Sequence, residues 1–286
     1  KVSFPNEQTS LTSIPTLKSV KSGLFSDQVP DNAVAVAQGL NSEQLVNIKQ
    51  FLHSRPVEYR ITQIADNHII SVKGNSSSAA QPHLGDNALS YLAVALNNIN
   101  WQTNDNSLAI RYIAELAGES YLANQFGDIA YQDDFMGPLT LSPTLLTRTR
   151  SGALQSVFDL RIPKGKSRQH LTGSIQQTLS RWQAKHQVVL NIEQVALSKP
   201  YFIENAPQLT SLLAIYDKFS GNENSQPVSI GYQTIARSLP NAVGFGPAIP
   251  GHQLSSYSSN EHITVPNFQL LLKTYSAMMI EFAGVR

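Results

Sequence analysis

Residues 33–73 read AVAVAQGLNSEQLVNIKQFLHSRPVEYRITQIADNHIISVK, and this stretch decides the fold class. Ala33 to Gln38 is a strand candidate. Asn41-Ser42-Glu43 is a helix start, because short polar side chains accept hydrogen bonds from the free N–H groups of a first turn. Leu45, Ile48, Phe51 and Leu52 follow at the spacing that lines one helical face. Tyr59 to Ala65 and His68 to Lys73 are β-like runs on either side of Asp66-Asn67, a hairpin-type turn.

The flanking segments extend this pattern. Residues 1–16 are loop-like, punctuated by Pro5, Asn6, Thr9, Ser10, Ser13 and Pro15. Leu17 to Phe25 reads as a strand and Val29-Pro30-Asp31 as a turn. Helices are expected over about 86–98 and 107–122, and β structure over 135–160 with bends at Gly137, Pro143 and Gly152. A helix over 167–186 precedes a strand over 187–196. A helix over 207–219 has Pro207 near its first turn, where a missing N–H costs little. A linker over 221–227 leads to a short strand over 242–245 and a last helix over 265–282. Strands joined by hairpins and mixed with helices predict an α+β fold, a largely antiparallel sheet with helices on one face. The β-α-β pattern of 17–73 recurs over 152–196, which suggests two related halves.

Composition bounds the function. The 286 residues imply about two domains at roughly 150 residues each. Apolar residues make up 41% of the chain, enough for a core. Charged residues make up 14%, against roughly 25% in an ordinary soluble domain, so the surface is polar but sparsely charged. A net charge of +1 gives no electrostatic footprint for nucleic acid. No apolar run reaches the roughly 18–20 residues of a membrane helix. The chain has no Cys, which removes disulfides, thiolate catalysis and Cys-ligated zinc. A Cys-free chain suits the cytosol and the periplasm equally, so the compartment is unknown. The chain opens on Lys1 and not on Met, so a cut before Lys1 is expected.

No motif announces an active site. The His residues at 53, 68, 83, 170, 186, 252 and 262 form neither His-x-x-x-His nor His-x-Asp. Asp133-Asp134 reads as a solvated turn. Asn260-Glu261-His262 is a loop cap or a functional site. Closely spaced Gly244 and Gly246 either admit a ligand to the backbone or serve a tight turn. Arg237, in a stretch with few charges, is either a bidentate carboxylate holder or a surface side chain.

Three segments together resemble the zinc-dependent aminoacylase, carnosinase and Xaa-His dipeptidase family. Val72 to Ala88, with Gly74, Pro82, Gly85, Asn87 and Ala88, is similar to the family's lid motif Gly-x-x-Ala-His-Gly-x-x-Pro-x-x-Gly-x-Asn-Ala. Ile230 to Arg237 resembles Gly-Gly-Gly-Thr-Tyr-Ala-Arg. Val243-Gly244-Phe245-Gly246-Pro247, followed by Asn260-Glu261-His262-Ile263, resembles the family's Phe-Gly-Pro and Asn-Glu-Tyr-Ile ending. Phe4-Pro5, Val29-Pro30-Asp31 and Phe158-Asp159-Leu160-Arg161-Ile162-Pro163 are weaker matches in the same order.

The resemblance implies a two-layer lid of ferredoxin-like β-α-β halves over 17–199. It also implies a remnant of a catalytic domain over 1–16 and a partial α/β zinc-exopeptidase segment over 200–286. The family's metal-binding half, with His-x-Asp and Glu-Glu, is expected upstream of Lys1. The family's lid His falls on Ser78 and its C-terminal metal-ligand His on Tyr257, a poor zinc ligand because a phenol stays protonated at neutral pH. His83 and His252 lie nearby but outside the motif slots. Arg237, Gly244, Gly246 and Ser142 are the implied substrate-binding residues, with no metal ligand in this chain. Zinc is expected only with the upstream half. Three readings follow: a non-hydrolytic relative that binds a small peptide or carboxylate, one part of an intact zinc metallodipeptidase, or a structural module that dimerises through the lid. The family is cytoplasmic.

Overall fold

In the computed structural model the described residues are 1–5, 14–246, 249 and 260–284. Strands β1 (Val2–Ser3), β2 (Thr16–Ser22), β3 (Gln28–Val29) and β4 (Asn32–Gln38) precede helix α1 (Ser42–His53). Strands β5 (Glu58–Ile64), β6 (Asn67–Lys73) and β7 (Ser77–Ser78) lead to helices α2 (Ala88–Asn97) and α3 (Asp105–Leu116). Next come β8 (Gln132–Asp133), β9 (Gly137–Pro138), β10 (Thr140–Arg148), β11 (Leu154–Arg161), α4 (Arg168–His186) and β12 (Asn191–Ile192). Helices α5 (Leu209–Ser220) and α6 (Val265–Ala283) follow. The chain divides into two compact units, Lys1–Lys199 and Pro200–Arg286.

The first unit is built on an eight-stranded sheet in the order β12-β1-β11-β10-β2-β4-β6-β5. Its neighbouring strands pair antiparallel, so the fold is α+β, as the strand and helix order predicts. Val2–Ser3 lies between β11 and β12, so the start of the described chain packs into this sheet.

Side-chain alternation explains the layering. Ala33, Ala35 and Ala37 of β4 are fully buried, while Val34 and Val36 between them are half-buried. The small alanines let α2 sit close, and Leu89, Leu92 and Leu96 of that helix are wholly buried. Each such leucine contributes about 1.5–3 kcal/mol relative to exposure. Helix α1 starts where the sequence places it: Asn41 Oδ1 accepts from Gln44 N at 2.8 Å, and Gln44 Oε1 accepts from Asn41 N at 3.0 Å. This reciprocal cap satisfies two donors that the helix itself leaves free.

Three elements differ from their sequence reading. Helix α3 stops at Leu116, short of 122, because Gly118 takes a left-handed φ of 60° and its N–H turns back to the Ile113 carbonyl. The strand expected over 187–196 is only Asn191–Ile192: Gln187 is left-handed at φ 55°, and the neighbouring strand β1 is itself two residues long. The strand expected over 242–245 is not formed, and these residues belong to no helix or ladder. The described residues of the second unit contain helices and a 3-10 turn but no strand for it to pair with. The α/β character expected for 200–286 is therefore not seen among them.

Candidate functional site

The segment that resembles the lid motif is a closed loop, and its motif residues are the ones that close it. Gly74 donates its N–H to the Asp31 carbonyl at 2.8 Å, and a Cβ on Gly74 would overlap the Asp86 carbonyl oxygen. Asn75 and Asp86 form an antiparallel bridge across the loop neck, and Asn75 Nδ2 donates to Asp86 Oδ2 at 2.6 Å. Pro82 opens a 3-10 turn, Pro82–Leu84. Asn87 caps α2, its Oδ1 accepting from Ser90 N at 3.1 Å, and Ala88 N reaches the Pro30 carbonyl at 2.9 Å.

Within this frame Ser78 pairs with Gln28 of β3, is 3% exposed, and accepts from Ala80 N at 3.2 Å. Its hydroxyl oxygen thus serves the turn that follows it. His83 lies on the exposed side of the loop, its ring 6.2 Å from that of Tyr121.

Ser142 lies in β10, which packs against β3. It is 2% exposed and its hydroxyl accepts from Asn87 Nδ2 at 3.2 Å. The same amide donates to the Pro143 carbonyl at 2.9 Å. The ladder to β11 slips between Pro143 and Leu145, a bulge that accommodates a residue without an N–H. Ser142 is the cross-strand partner of Asp159, so their side chains share a face of the sheet, and Arg161 shares it too. Arg161 grips Asp159 with two bonds, Nε to Oδ1 at 2.6 Å and Nη2 to Oδ2 at 3.0 Å. Burial raises the Asp159 pKa above its ordinary value against the pull of Arg161, and the charge of nearby Asp27 adds to the rise.

This pair was not among the site residues named from sequence. Its signal is the spacing: Asp-x-Arg on a strand puts acid and base side by side. The first unit therefore joins Asn87, Ser142, Asp159 and Arg161, with Ser78 across β3. It offers donors and a paired guanidinium. The hydrogen bonds of the two serine hydroxyls run to the Ala80 N–H and the Asn87 amide, not to a histidine or a carboxylate, among the described residues.

In the second unit, Arg237 lies in the 3-10 turn Ile235–Ser238 and is half-buried, with its N–H on the Thr234 carbonyl at 3.3 Å. Gly244 sits beside the same threonine: a Cβ on it would lie 3.7 Å from Thr234 Cγ2. Gly246 is left-handed at φ 59°, and a Cβ there would overlap the Tyr275 hydroxyl. That hydroxyl donates to the Phe245 carbonyl at 3.1 Å, and the two rings meet edge-on at 6.0 Å. Thr234 thus neighbours both the Arg237 backbone and Gly244, and Tyr275 of α6 holds the Phe245 carbonyl. His262 is exposed, with Nδ1 2.7 Å from the Asn260 carbonyl oxygen.

Tyr257 and His252 lie outside the described residues. Among the described residues no three His, Asp or Glu side chains gather in a group that would hold a metal ion. Those residues do not make up the donor set that two zinc ions require.

No family model matches the chain. Curated proteins do. The chain is 22% identical to the Beta-Ala-Xaa dipeptidase of Lactobacillus delbrueckii subsp. lactis over 281 residues, 98% of this chain and 57% of that protein. It is 28% identical to "Putative dipeptidase SSP1012" of Staphylococcus saprophyticus over 255 residues, 87% of this chain and 52% of that protein. It is 25% identical to "Putative dipeptidase YtjP" of Bacillus subtilis over 272 residues, 93% of this chain and 56% of that protein. The chain is thus similar along most of its length to proteins named dipeptidases, and it spans just over half the length of each.

Proposed function

We propose that this dipeptidase-like chain binds the carboxylate of a short peptide through Arg237 and the Gly244–Gly246 backbone, and that it does not hydrolyse peptides by itself. The observation that supports this reading is that Thr234 accepts from the Arg237 backbone N–H while its side chain lies beside Gly244. A guanidinium holds a carboxylate bidentately, and glycine removes the side chain that would keep a ligand from the backbone. Ser78, in the slot of the family's lid histidine, supplies no imidazolium. On this reading 17–199 is the lid and 200–286 a catalytic-domain segment.

Calorimetric titration of a dipeptide into the wild type and Arg237→Ala tests it. A loss of at least tenfold in affinity is expected, and equal affinities remove Arg237 from the site. Arg237→Lys keeps the charge but not the fork, and an intermediate loss is expected.

A second reading is favoured by a separate observation: the chain is one part of an intact zinc metallodipeptidase. It spans just over half of its relatives, and helix α6 exposes Val265, Phe268, Leu272, Met279 and Ile280. So many large apolar groups on one helix mark a surface that a further layer covers. The reading frame before Lys1 decides between them. His-x-Asp and Glu-Glu encoded there establish the second reading, and their absence sinks it.

A further inference from the structure

The first unit contains a cavity that none of the candidate site residues line. It has a volume of about 80 Å³ and lies between the sheet and α4. Strand periodicity builds its floor. Ser156, Phe158 and Leu160 of β11 alternate onto one face, and Val2, the ladder partner of Ser156, continues the row. Ile175 and Leu179, one turn apart on α4, form the opposite wall.

Ser156 makes this more than a packing gap. It is 2% exposed, it lines the cavity, and its Oγ has no hydrogen-bond partner among the described residues. A buried hydroxyl left this way has given up its hydration without a replacement bond. The side chains that line the cavity are mostly aromatic and aliphatic, and Lys1 and Gln194 are the polar ones besides Ser156 and Tyr112. Tyr112, which also lines the cavity, stays neutral, because burial pushes its phenol well above the ordinary value. The volume is several times the roughly 10–15 Å³ that admits one water, and about half the roughly 150 Å³ of a cavity that takes benzene.

We infer that this cavity is a binding site for a small neutral amphiphile, an alkyl body of three or four carbons with one hydrogen-bonding oxygen directed at Ser156. The alkyl part replaces missing contacts with the walls, and the oxygen satisfies the serine. Apart from Lys1 and Gln194 the lining is apolar, so a charged ligand would lose most of its hydration there. The inference is independent of the carboxylate site in the second unit and concerns different residues.

Methyl-resolved NMR tests it, because valine, leucine and isoleucine methyls line the cavity. Titration with 2-propanol is expected to give saturable shifts centred on Ile175, Leu179 and Leu160, with a millimolar Kd. Ser156→Ala is expected to weaken 2-propanol about three- to tenfold, the worth of one hydrogen bond, while leaving xenon binding unchanged. Leu179→Phe fills the space and is expected to abolish both, and Ser156→Val serves as the filling variant if Leu179→Phe does not fold. Linear shifts spread over the surface, shifts that persist in a folded filling variant, or an unchanged 2-propanol affinity in Ser156→Ala would each overturn the proposal.

Discussion

The Asn87 side chain binds Ser142 across 55 residues of sequence while capping the helix that begins beside it. Its oxygen holds the first turn of α2, and its amide nitrogen holds the Ser142 hydroxyl and the Pro143 carbonyl. The loop is thereby pinned to the sheet at its last residue before the helix. Asn87→Ala removes the cap, worth about 1 kcal/mol, and leaves two acceptors without their donor, at about 1–3 kcal/mol more. Asn87→Asp keeps the cap but turns an oxygen toward those acceptors. Urea midpoints are expected to fall in both variants, with a total loss of about 2–4 kcal/mol in Asn87→Ala. A loss under about 1 kcal/mol would mean that the pin carries no load.

Two glycines separate crowding from backbone strain. Gly74 has no room for a Cβ, because the Asp86 carbonyl occupies the space. Gly152 has open space around it but a left-handed φ of 87°. Gly74→Ala must spread the neck of the loop and is expected to lose about 3 kcal/mol or more. Gly152→Ala meets only conformational strain, about 1 kcal/mol. Thermal unfolding of the two variants should rank them in that order, and the reverse order would show that the loop neck yields easily.

The local elements could be read from sequence because their signals are local. Ala33 to Gln38 alternates, Asn41 and Gln44 lie in the capping frame, and α4 has its apolar residues at helical spacing, so each element follows from a window of a few residues. The placement of the candidate site could not. Ser78 meets β3, Ser142 meets Asn87, and Asp159 faces Ser142 only because β10 and β11 pair in one register. Register depends on the bulge at Pro143 and on which edges the sheet offers, and no single segment encodes either. The short strand Asn191–Ile192 failed for the same reason. Its sequence favours β structure well beyond two residues, and its length is set by its neighbour β1.

Glu115 and Asp159 respond to pH with opposite signs. Burial alone would raise the Glu115 pKa. The hydrogen bonds and charges of His186 and Lys185 together outweigh it and hold the carboxyl below its ordinary value of 4.5. The distances are 2.8 Å from His186 Nε2 and 3.0 Å from Lys185 Nζ. A depressed carboxyl contributes stability above the unfolded pKa, and that stability is lost as pH falls through the folded value. Asp159 is raised above 3.8, mainly by burial, so its contribution is fully present below 3.8 and lost as pH rises through the folded value. Urea midpoints across the acid range should show Glu115→Gln with a shallower acid loss than the wild type. Asp159→Asn should lack the decline that ionisation of Asp159 causes. A wild-type slope in Glu115→Gln would remove the His186 and Lys185 contacts from the account.

Gly246 and Tyr275 test whether the glycine backbone near Arg237 is held for binding. Gly246→Ala combines a left-handed φ with a clash against the Tyr275 hydroxyl, so the Phe245–Gly246 segment must move. Tyr275→Phe is milder: it deletes the hydrogen bond to the Phe245 carbonyl, worth about 1 kcal/mol, and keeps the ring contact. If the segment presents its backbone to a peptide carboxylate, Gly246→Ala should weaken dipeptide binding about as much as Arg237→Ala, and Tyr275→Phe only a few-fold. Combining Gly246→Ala with Arg237→Ala should then cost less than the sum of the two, because both act on one bound group. Full additivity in a calorimetric double-mutant cycle would show that Arg237 and the glycine backbone do not act on the same ligand.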